Sequence, residues 1–556
     1  MKHQNLIKTP KTLIPVERES NPLNIKKRLL RLVLIGLLAF TSNGAFAHGV
    51  VVSNVAINGQ NTVLDYTLVN FDITWNNSWR NTAITNNWDA CWVFVKYRKK
   101  SETTWHHATL NYLDGTGAGD GHTAPTGSAI NSTSDGKGVM IYSSSNIIPQ
   151  TVNYTGAKLR WNYGIDGLVD ADSVEIAVFA IEMVYVPQGS FYVGDGTSAD
   201  IQGHFESGTT GTALQITSEG ALTLGGGGAG SLGNNNASAS DPYTPDDFND
   251  VDSQTLPAAF PKGYNAFYCM KYSISQEQYV AFLNTLTRAQ QNTRTATSLA
   301  AGTTSVTNRY VMSDEPTRRY RNGIRCDATI HASDPITFYC DYNGNGIPNE
   351  SDDGQNIACN YLSRKDLAAY LDWAGLRPMT ELEYEKACRG DLAAVANEYA
   401  WGSASITEAT GISNPGANNE TASNDGANAA YENHAPGPLR VGNFGQGVNT
   451  REGVGASYWC IMELSGNLWE RTITVGNITG RAFTGTHGNG IIDANGNADA
   501  SNWPGTNASG AGFRGGDWYS SVVFLRVSDR DIATAFTVSI RSNIYGGRGV
   551  RVCPAP

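Results

Sequence analysis

Two hydrophobic patterns divide the chain. Between residues 48 and 180, β-branched and aromatic residues are concentrated in short runs such as 62–75 (TVLDYTLVNFDITW), 90–97 (ACWVFVKY) and 174–181 (VEIAVFAI). Stretches rich in Asn, Gly and Ser separate these runs, as turns separate the strands of a sheet. Residues 48–180 are therefore predicted to form an all-β, sandwich-like domain.

Helical patterns appear only in the second part of the chain, residues 181–556. Residues 183–194 (MVYVPQGSFYVG) first predict a strand, a turn and a second strand. Three helix starts follow, each marked by residues that can cap a first turn: Ser275 with Gln278, Ser363, and Thr380 with Glu383. We expect these helices to cover 279–286, to end before Gly375, and to run through Cys388. Strands and helices together predict an α+β fold.

Residues 511–552 are unusually rich in glycine pairs and arginines. Gly515-Gly516 and Gly546-Gly547 permit backbone conformations that other residues avoid. Trp518 can anchor the segment, and arginine side chains can hold loops through forked hydrogen bonds. This composition predicts a loop-rich region that presents a surface.

The N-terminus resembles an export signal. Basic residues precede the apolar run 32–40, and Ala45-Phe46-Ala47 provides a cleavage site with small residues before His48. The apolar run is too short to span a bilayer, so no transmembrane span is expected in the mature chain. Residues 1–47 are predicted to be a signal peptide, and the mature protein to be secreted, periplasmic or at the cell surface.

The charge balance argues against a nucleic-acid partner. The 556-residue chain has 40 Lys and Arg against 51 Asp and Glu. Residues 1–47 contain eight of the basic residues and two of the acidic ones, so the mature chain has a net charge of −17. Such a charge disfavours binding to phosphate backbones.

None of the eight cysteines forms a CxxC motif, so a zinc ribbon is not indicated. Cys326, Cys340 and Cys359 bracket a polar segment in which a disulfide could form. Buried free thiols are the alternative.

Residues 341–352 (DYNGNGIPNESD) have the oxygen-rich pattern of a calcium-binding loop. Asp341, Asn343 and Asn345 stand at positions 1, 3 and 5, Gly346 at position 6 and Asp352 at position 12. An Asp instead of Glu at position 12 and the lack of flanking helices depart from the usual motif. A solvated turn rich in Asn and Gly is the alternative.

Four stretches together resemble the sulfatase-modifying-factor family, which includes the formylglycine-generating enzymes. They are 183–194, 267–284 (FYCMKYSISQEQYVAFLN), 376–390 with 399–402 (LRPMTELEYEKACRG and YAWG), and 462–471 (MELSGNLWER) leading to 513–516 (FRGG). The resemblance implies a C-type-lectin-like fold over residues 181–556. Segments 197–261, 290–358 and 403–455 are then expected to be insertions.

The family's enzymatic activities are poorly matched by the residues. Formylglycine-generating enzymes bind copper(I) with two cysteines, separated by four residues, just after the glycine turn. Alignment on Gly515-Gly516 places Ser520 and Leu525 at those positions, and copper(I) requires soft thiolates. Related iron enzymes use a histidine triad in a helical domain, and the nine histidines show no such cluster. We therefore expect no copper or iron, although an oxidase with other ligands remains the alternative function.

A third, non-catalytic branch of the family displays a variable binding surface, sometimes diversified by retroelements. Framework-like residues such as Trp518, Arg530 and Arg541 alternate with runs whose residue types can arise from Asn codons by adenine replacement. The resemblance implies a C-terminal face that binds a protein or glycan. The expected contacts are Tyr519, Ser520, Phe524, Asp531, Thr534, Phe536, Thr537, Ser539, Ile544 and Tyr545. A surface adhesin or structural component is a third alternative.

The motif Gly466-Asn467-Leu468-Trp469-Glu470 resembles a structural calcium site of the same family. The resemblance assigns the ligands to Asn467, the carbonyl of Leu468, and Glu470, which are oxygen donors that suit calcium. A turn in which Glu470 pairs with an arginine is the alternative.

Overall fold

The computed structural model describes residues 44–46, 49–197, 201–235, 246–444, 450–504, 508–534 and 540–552. Within these ranges the protein is mostly β, with several sheets and short helices. The predicted signal peptide therefore lies outside the described residues, except for a short strand at 44–46. None of the helices in these ranges is long and apolar enough to cross a membrane.

The strands of the first half form long hairpins. They are β1 (Gly44–Phe46), β2 (Val50–Asn61), β3 (Tyr66–Asn81), β4 (Asn87–Lys99), β5 (His106–His107), β6 (Ser128–Ser132), β7 (Val139–Ser143), β8 (Ile147–Trp161) and β9 (Val174–Val186). The three runs singled out in the sequence fall largely within β3, β4 and β9, which confirms their strand assignment.

The second half has shorter strands. They are β10 (Phe191–Val193), β11 (Phe205–Ser207), β12 (Leu214–Ile216), β13 (Leu222–Gly225), β14 (Leu232–Asn234), β15 (Ser253–Leu256), β16 (Phe267–Met270), β17 (Ile324–Arg325), β18 (Tyr339–Cys340), β19 (Arg377–Pro378), β20 (Ile412–Ser413), β21 (Thr421–Ala422), β22 (Glu470–Ile473), β23 (Ala511–Arg514) and β24 (Gly549–Arg551).

Five α-helices lie among these strands: α1 (Gln276–Leu283), α2 (Arg288–Arg294), α3 (Arg364–Trp373), α4 (Glu381–Arg389) and α5 (Ile478–Arg481). The caps predicted at Ser275, Ser363 and Thr380 are confirmed, each with its reciprocal hydrogen bonds. The first helix ends at Leu283, earlier than expected. Helix α2 was missed because its sequence, RAQQNTR, has little apolar periodicity.

One large sheet connects the two halves. Its strand order is β1-β2-β3-β4-β9-β16-β24-β19. Strand β9 crosses the expected domain boundary at residue 180 and pairs with β4 on one side and β16 on the other. Trp373 of α3 packs edge-on against Phe94 of β4, with ring centroids 5.1 Å apart. A shared core thus places α3 and the C-terminal strand β24 close to the N-terminal sheet.

The glycine-rich segment 197–261, expected to be an insertion in the family domain, contains a small sheet. Its order is β11-β14-β13-β15, and Gly225 ends strand β13. Phe205, Leu224, Leu232 and Leu256 give this sheet a buried core.

Seven of the eight cysteines lie within the described residues, and all seven are free thiols. Cys326, Cys340 and Cys359 are buried, so the alternative of buried thiols holds for this segment. Cys553 lies outside the described residues.

Candidate functional site

The glycine turn after β23 determines the geometry of the C-terminal face. Strand β23 pairs with β22, which places Arg514 opposite Glu470. Gly515 and Gly516 follow with φ values of 88° and 69°, in the left-handed region. A Cβ atom on Gly516 would lie 2.5 Å from a methyl carbon of Leu525. The turn therefore requires glycine for both its backbone conformation and its packing.

Trp518 is the buried centre of this face. It is fully buried, and its Nε1 donates to the carbonyl of Asn543 at 3.0 Å. The rings of Tyr519 and Tyr320 each lie 5.6 Å from its ring, between centroids. Tyr519 is 58% exposed and Tyr320 is 44% exposed. Two accessible tyrosines thus contact one buried tryptophan.

Ser520 and Leu525 are in very different environments. The hydroxyl of Ser520 donates to a carboxylate oxygen of Asp517, and burial raises the pKa of Asp517 to about 6. Leu525 ends a short 3₁₀ helix, Val522–Leu525, and its side chain is fully buried among apolar residues that include Leu464. Residue 525 is therefore a core position.

Three further candidate contacts, Phe524, Ile544 and Tyr545, gather around Trp469. Phe524 lies 5.9 Å from the Trp469 ring, and Ile544 and Tyr545 belong to the same cluster. Tyr545 stacks on Phe513, with centroids 4.6 Å apart. Asp531 precedes Ile532, which also packs against this cluster, and the backbone N–H of Asp531 donates to the Asp529 carboxylate at 3.3 Å.

Thr534 is only 3% exposed, which is an unfavourable position for a ligand contact. The other three candidates, Phe536, Thr537 and Ser539, lie outside the described residues.

Tyr320 was missed by sequence reasoning because it belongs to the segment 290–358. Both Tyr320 and Arg321 have positive φ values, 42° and 64°, which are costly for residues of this size. A buried two-pronged ion pair between Arg321 and Glu420 fixes the turn. Asn360 Nδ2 also donates to the Tyr320 carbonyl at 2.9 Å. No local sequence signal marks this turn.

The Asn467–Glu470 motif is buried and partly engaged by protein groups. Asn467 Oδ1 accepts from the backbone of Leu439 at 2.8 Å. Glu470 Oε1 accepts from Arg548 Nε at 2.6 Å and from Ser273 Oγ at 3.0 Å, whereas Glu470 Oε2 is buried without a hydrogen-bond partner. The arginine pair considered as the alternative is thus present, and one carboxylate oxygen remains to hold a cation.

A comparison with protein families gives a match to the description "Sulfatase-modifying factor enzyme 1-like domain" over residues 177–552. The chain belongs to this family. A search of curated proteins found no match. The family match begins within β9 and includes the C-terminal face described above.

Within this sulfatase-modifying-factor domain, buried ion pairs hold the turn-bearing strand. Arg514 pairs with Glu381 at 3.0 Å and with Glu385 at 2.6 Å, both from α4. Arg530 pairs with Glu381 at 2.7 Å and with Asp246 at 2.8 Å. Because these side chains are buried, the network fixes the frame on which the exposed residues of the face stand.

The residues at positions 520 and 525 do not fit the copper(I) of formylglycine-generating enzymes. A hydroxyl hydrogen-bonded to Asp517 and a buried alkyl side chain replace the two thiolates that copper(I) requires. The chain therefore belongs to the sulfatase-modifying-factor family but lacks the copper ligands at these two positions.

Proposed function

We propose that this protein is an exported, ligand-binding member of the sulfatase-modifying-factor family, whose C-terminal face contacts a protein or a glycan. The observation that carries this proposal is the pair of exposed rings, Tyr320 and Tyr519, that both contact the buried Trp518. Exposed aromatic rings on a rigid base are the usual anchors of binding surfaces.

The face combines rigid and adjustable contacts. Tyrosine provides a large amphipathic area with few rotatable bonds, and serine and asparagine provide adaptable hydrogen bonds. Ser521 and Asn433 are exposed beside the tyrosines, and the Asn433 N–H donates to the Trp518 carbonyl at 2.8 Å. Phe524, Ile544 and Tyr545 are half-buried and supply an apolar border.

The wider proposal includes features that the sequence and the family membership support. They are a C-type-lectin-like fold for the matched region, a sandwich-like N-terminal domain, structural calcium at Asn467, Leu468 and Glu470, and export after cleavage at residue 47. The C-terminal face is further proposed to be diversified by a retroelement. A near-copy of codons 519–545 with adenine mismatches in adjacent DNA would support diversification, and its absence would contradict it.

A screen of the mature protein on a glycan array and a surface-protein library tests ligand binding. Variants Tyr320→Ala and Tyr519→Ala are expected to lose at least about tenfold in affinity for any hit, about 1.4 kcal/mol, while folding normally. Leu113→Ala is the control, because Leu113 is also exposed but lies in the N-terminal part. Hits that bind both tyrosine variants as tightly as the wild type would refute the proposed face.

The enzymatic alternative has its own test. Protein reconstituted with copper(I) is incubated with a cysteine-containing peptide while oxygen consumption is followed. We expect neither stoichiometric copper nor peptide oxidation, because residues 520 and 525 offer no thiolate. Turnover that requires copper would overturn the binding proposal in favour of catalysis.

A further inference from the structure

The loop after β18 is anchored by Asp341. This residue is fully buried, and its carboxylate accepts from the backbone of Gly344 at 2.8 Å and of Gly346 at 3.0 Å. The same carboxylate forms an ion pair with Arg325. Its oxygens are therefore already used by protein groups, and Asp341 holds the loop in shape.

Three other carboxylates of this loop converge. Ligand atoms of Glu350, Asp352 and Asp353 all lie within 4.8 Å of one another. None of the three takes part in an ion pair with a lysine, arginine or histidine of the described residues. Negative charges at this spacing repel one another strongly unless a cation lies between them.

Asp353 independently indicates a missing positive partner. Its side chain is 0% exposed, and its Oδ2 accepts from the Glu350 N–H at 2.7 Å. Its Oδ1 is buried and has no hydrogen-bond partner. A buried carboxylate oxygen without a partner is destabilising, so a ligand is needed at this point.

We propose that Glu350, Asp352 and Asp353 bind a calcium ion, whereas Asp341 does not. Hard carboxylate oxygens in an irregular loop suit calcium better than magnesium, which demands a near-ideal octahedron. The amides of Asn343 and Asn345 contact Glu350, and Asn343 also contacts Asp352. Their Oδ1 atoms accept from the backbone N–H groups of Asn345 at 2.9 Å and Ile347 at 2.7 Å, so these amides shape the loop and orient the carboxylates rather than bind the ion.

The ion also supports the neighbouring turn. The Tyr342 ring lies beneath the guanidinium of Arg318, 3.7 Å from the ring centroid, and near that of Arg321 at 5.4 Å. Residues 318–321 form the turn that presents Tyr320. Calcium in the loop therefore stabilises one side of the C-terminal face, although the ion site itself does not depend on the proposed ligand binding.

Calorimetric titration of chelator-treated mature protein with calcium chloride tests the site. The double variant Glu350→Gln/Asp352→Asn is expected to lose one equivalent of calcium, or to bind it at least tenfold more weakly. The control Asp334→Asn/Asp425→Asn removes two exposed carboxylates elsewhere and should bind calcium as the wild type does. Circular dichroism checks that both variants are folded.

A second pair of variants distinguishes the two ligand sets. Asp353→Asn should weaken calcium binding as the double variant does. Asp341→Asn should lower the thermal midpoint but retain the calcium equivalent, measured below that midpoint. The proposal is overturned if the wild type binds no calcium, if the double variant binds it unchanged, or if Glu470→Gln alone removes every equivalent.

Discussion

Replacement of Glu381 by glutamine tests the buried ion network beneath the C-terminal face. Glu381 Oε2 accepts from Arg530 at 2.7 Å and from Arg514 at 3.0 Å. Its Oε1 accepts from the Val475 N–H at 2.7 Å and from Thr474 Oγ1 at 3.0 Å. Burial opposes the charge, but the two guanidiniums outweigh it and lower the pKa of Glu381. Glu381→Gln therefore removes a charge on which two buried arginines depend.

The size of the effect follows from burial. Removing one partner of a buried ion pair costs about 3–5 kcal/mol, because the other charge remains in the core. Arg514 keeps Glu385 and Arg530 keeps Asp246, so we expect the lower end, about 3 kcal/mol. In the surface pair Arg98–Glu175, the N–O distance is 2.6 Å but the side chains are 31% and 28% exposed. Glu175→Gln should therefore cost less than about 1 kcal/mol.

Guanidinium chloride unfolding, followed by tryptophan fluorescence, measures both variants. The free energy of unfolding is obtained from the midpoint and the slope, provided that the slopes agree with that of the wild type. If Glu381→Gln lowers the free energy of unfolding no more than Glu175→Gln does, the predicted role of the buried ion network is refuted. It would mean that the remaining carboxylates fully compensate the two arginines.

Two further predictions concern residues that follow the glycine turn, between positions 520 and 529. Burial raises the pKa of Asp529 to about 7, so the folded state holds this proton more tightly than the unfolded state does. The resulting stability is present below about pH 4 and is lost as the pH rises towards 7. The free energy of unfolding of Asp529→Asn should therefore rise relative to that of the wild type between pH 5 and 8. If the free energies of both proteins depend on pH in the same way, this prediction is wrong. Leu525→Ala should cost about 3 kcal/mol in denaturant unfolding, because Leu525 is fully buried. Ser520→Ala should lower the free energy of unfolding by less than about 1 kcal/mol, because the half-exposed hydroxyl makes a single hydrogen bond. If both variants lose a similar free energy of unfolding, residue 525 is not part of the core.

The helix starts could be predicted because their signals are local. A capping box joins residues three positions apart, and the three predicted caps all form. The ends were harder to predict: α1 stops at Leu283, with Asn284 as its C-cap, although Leu286 continues the helical spacing of apolar residues. The small sheet within segment 197–261 could not be predicted, because composition does not show which short strands pair.

The candidate site was only partly predictable. Tyr519 and Phe524 closely follow Gly515-Gly516, whereas Ile544 and Tyr545 come just before Gly546-Gly547. The structure brings Tyr519 to Trp518, and Phe524, Ile544 and Tyr545 to Trp469. Tyr320 comes from a segment about 200 residues away, which no pattern in either stretch connects to the face.

The sequence by itself determined the family, the strand-rich composition, the helix caps and the replacement of two cysteines by Ser520 and Leu525. Only the tertiary structure decided that Leu525 is buried and that Tyr320 lies beside Trp518. The tertiary structure also decided that Asp341 forms a buried ion pair with Arg325. Residue types and their short-range spacing can be read directly from the sequence. Burial and charge pairing depend instead on distant segments that meet only when the chain folds.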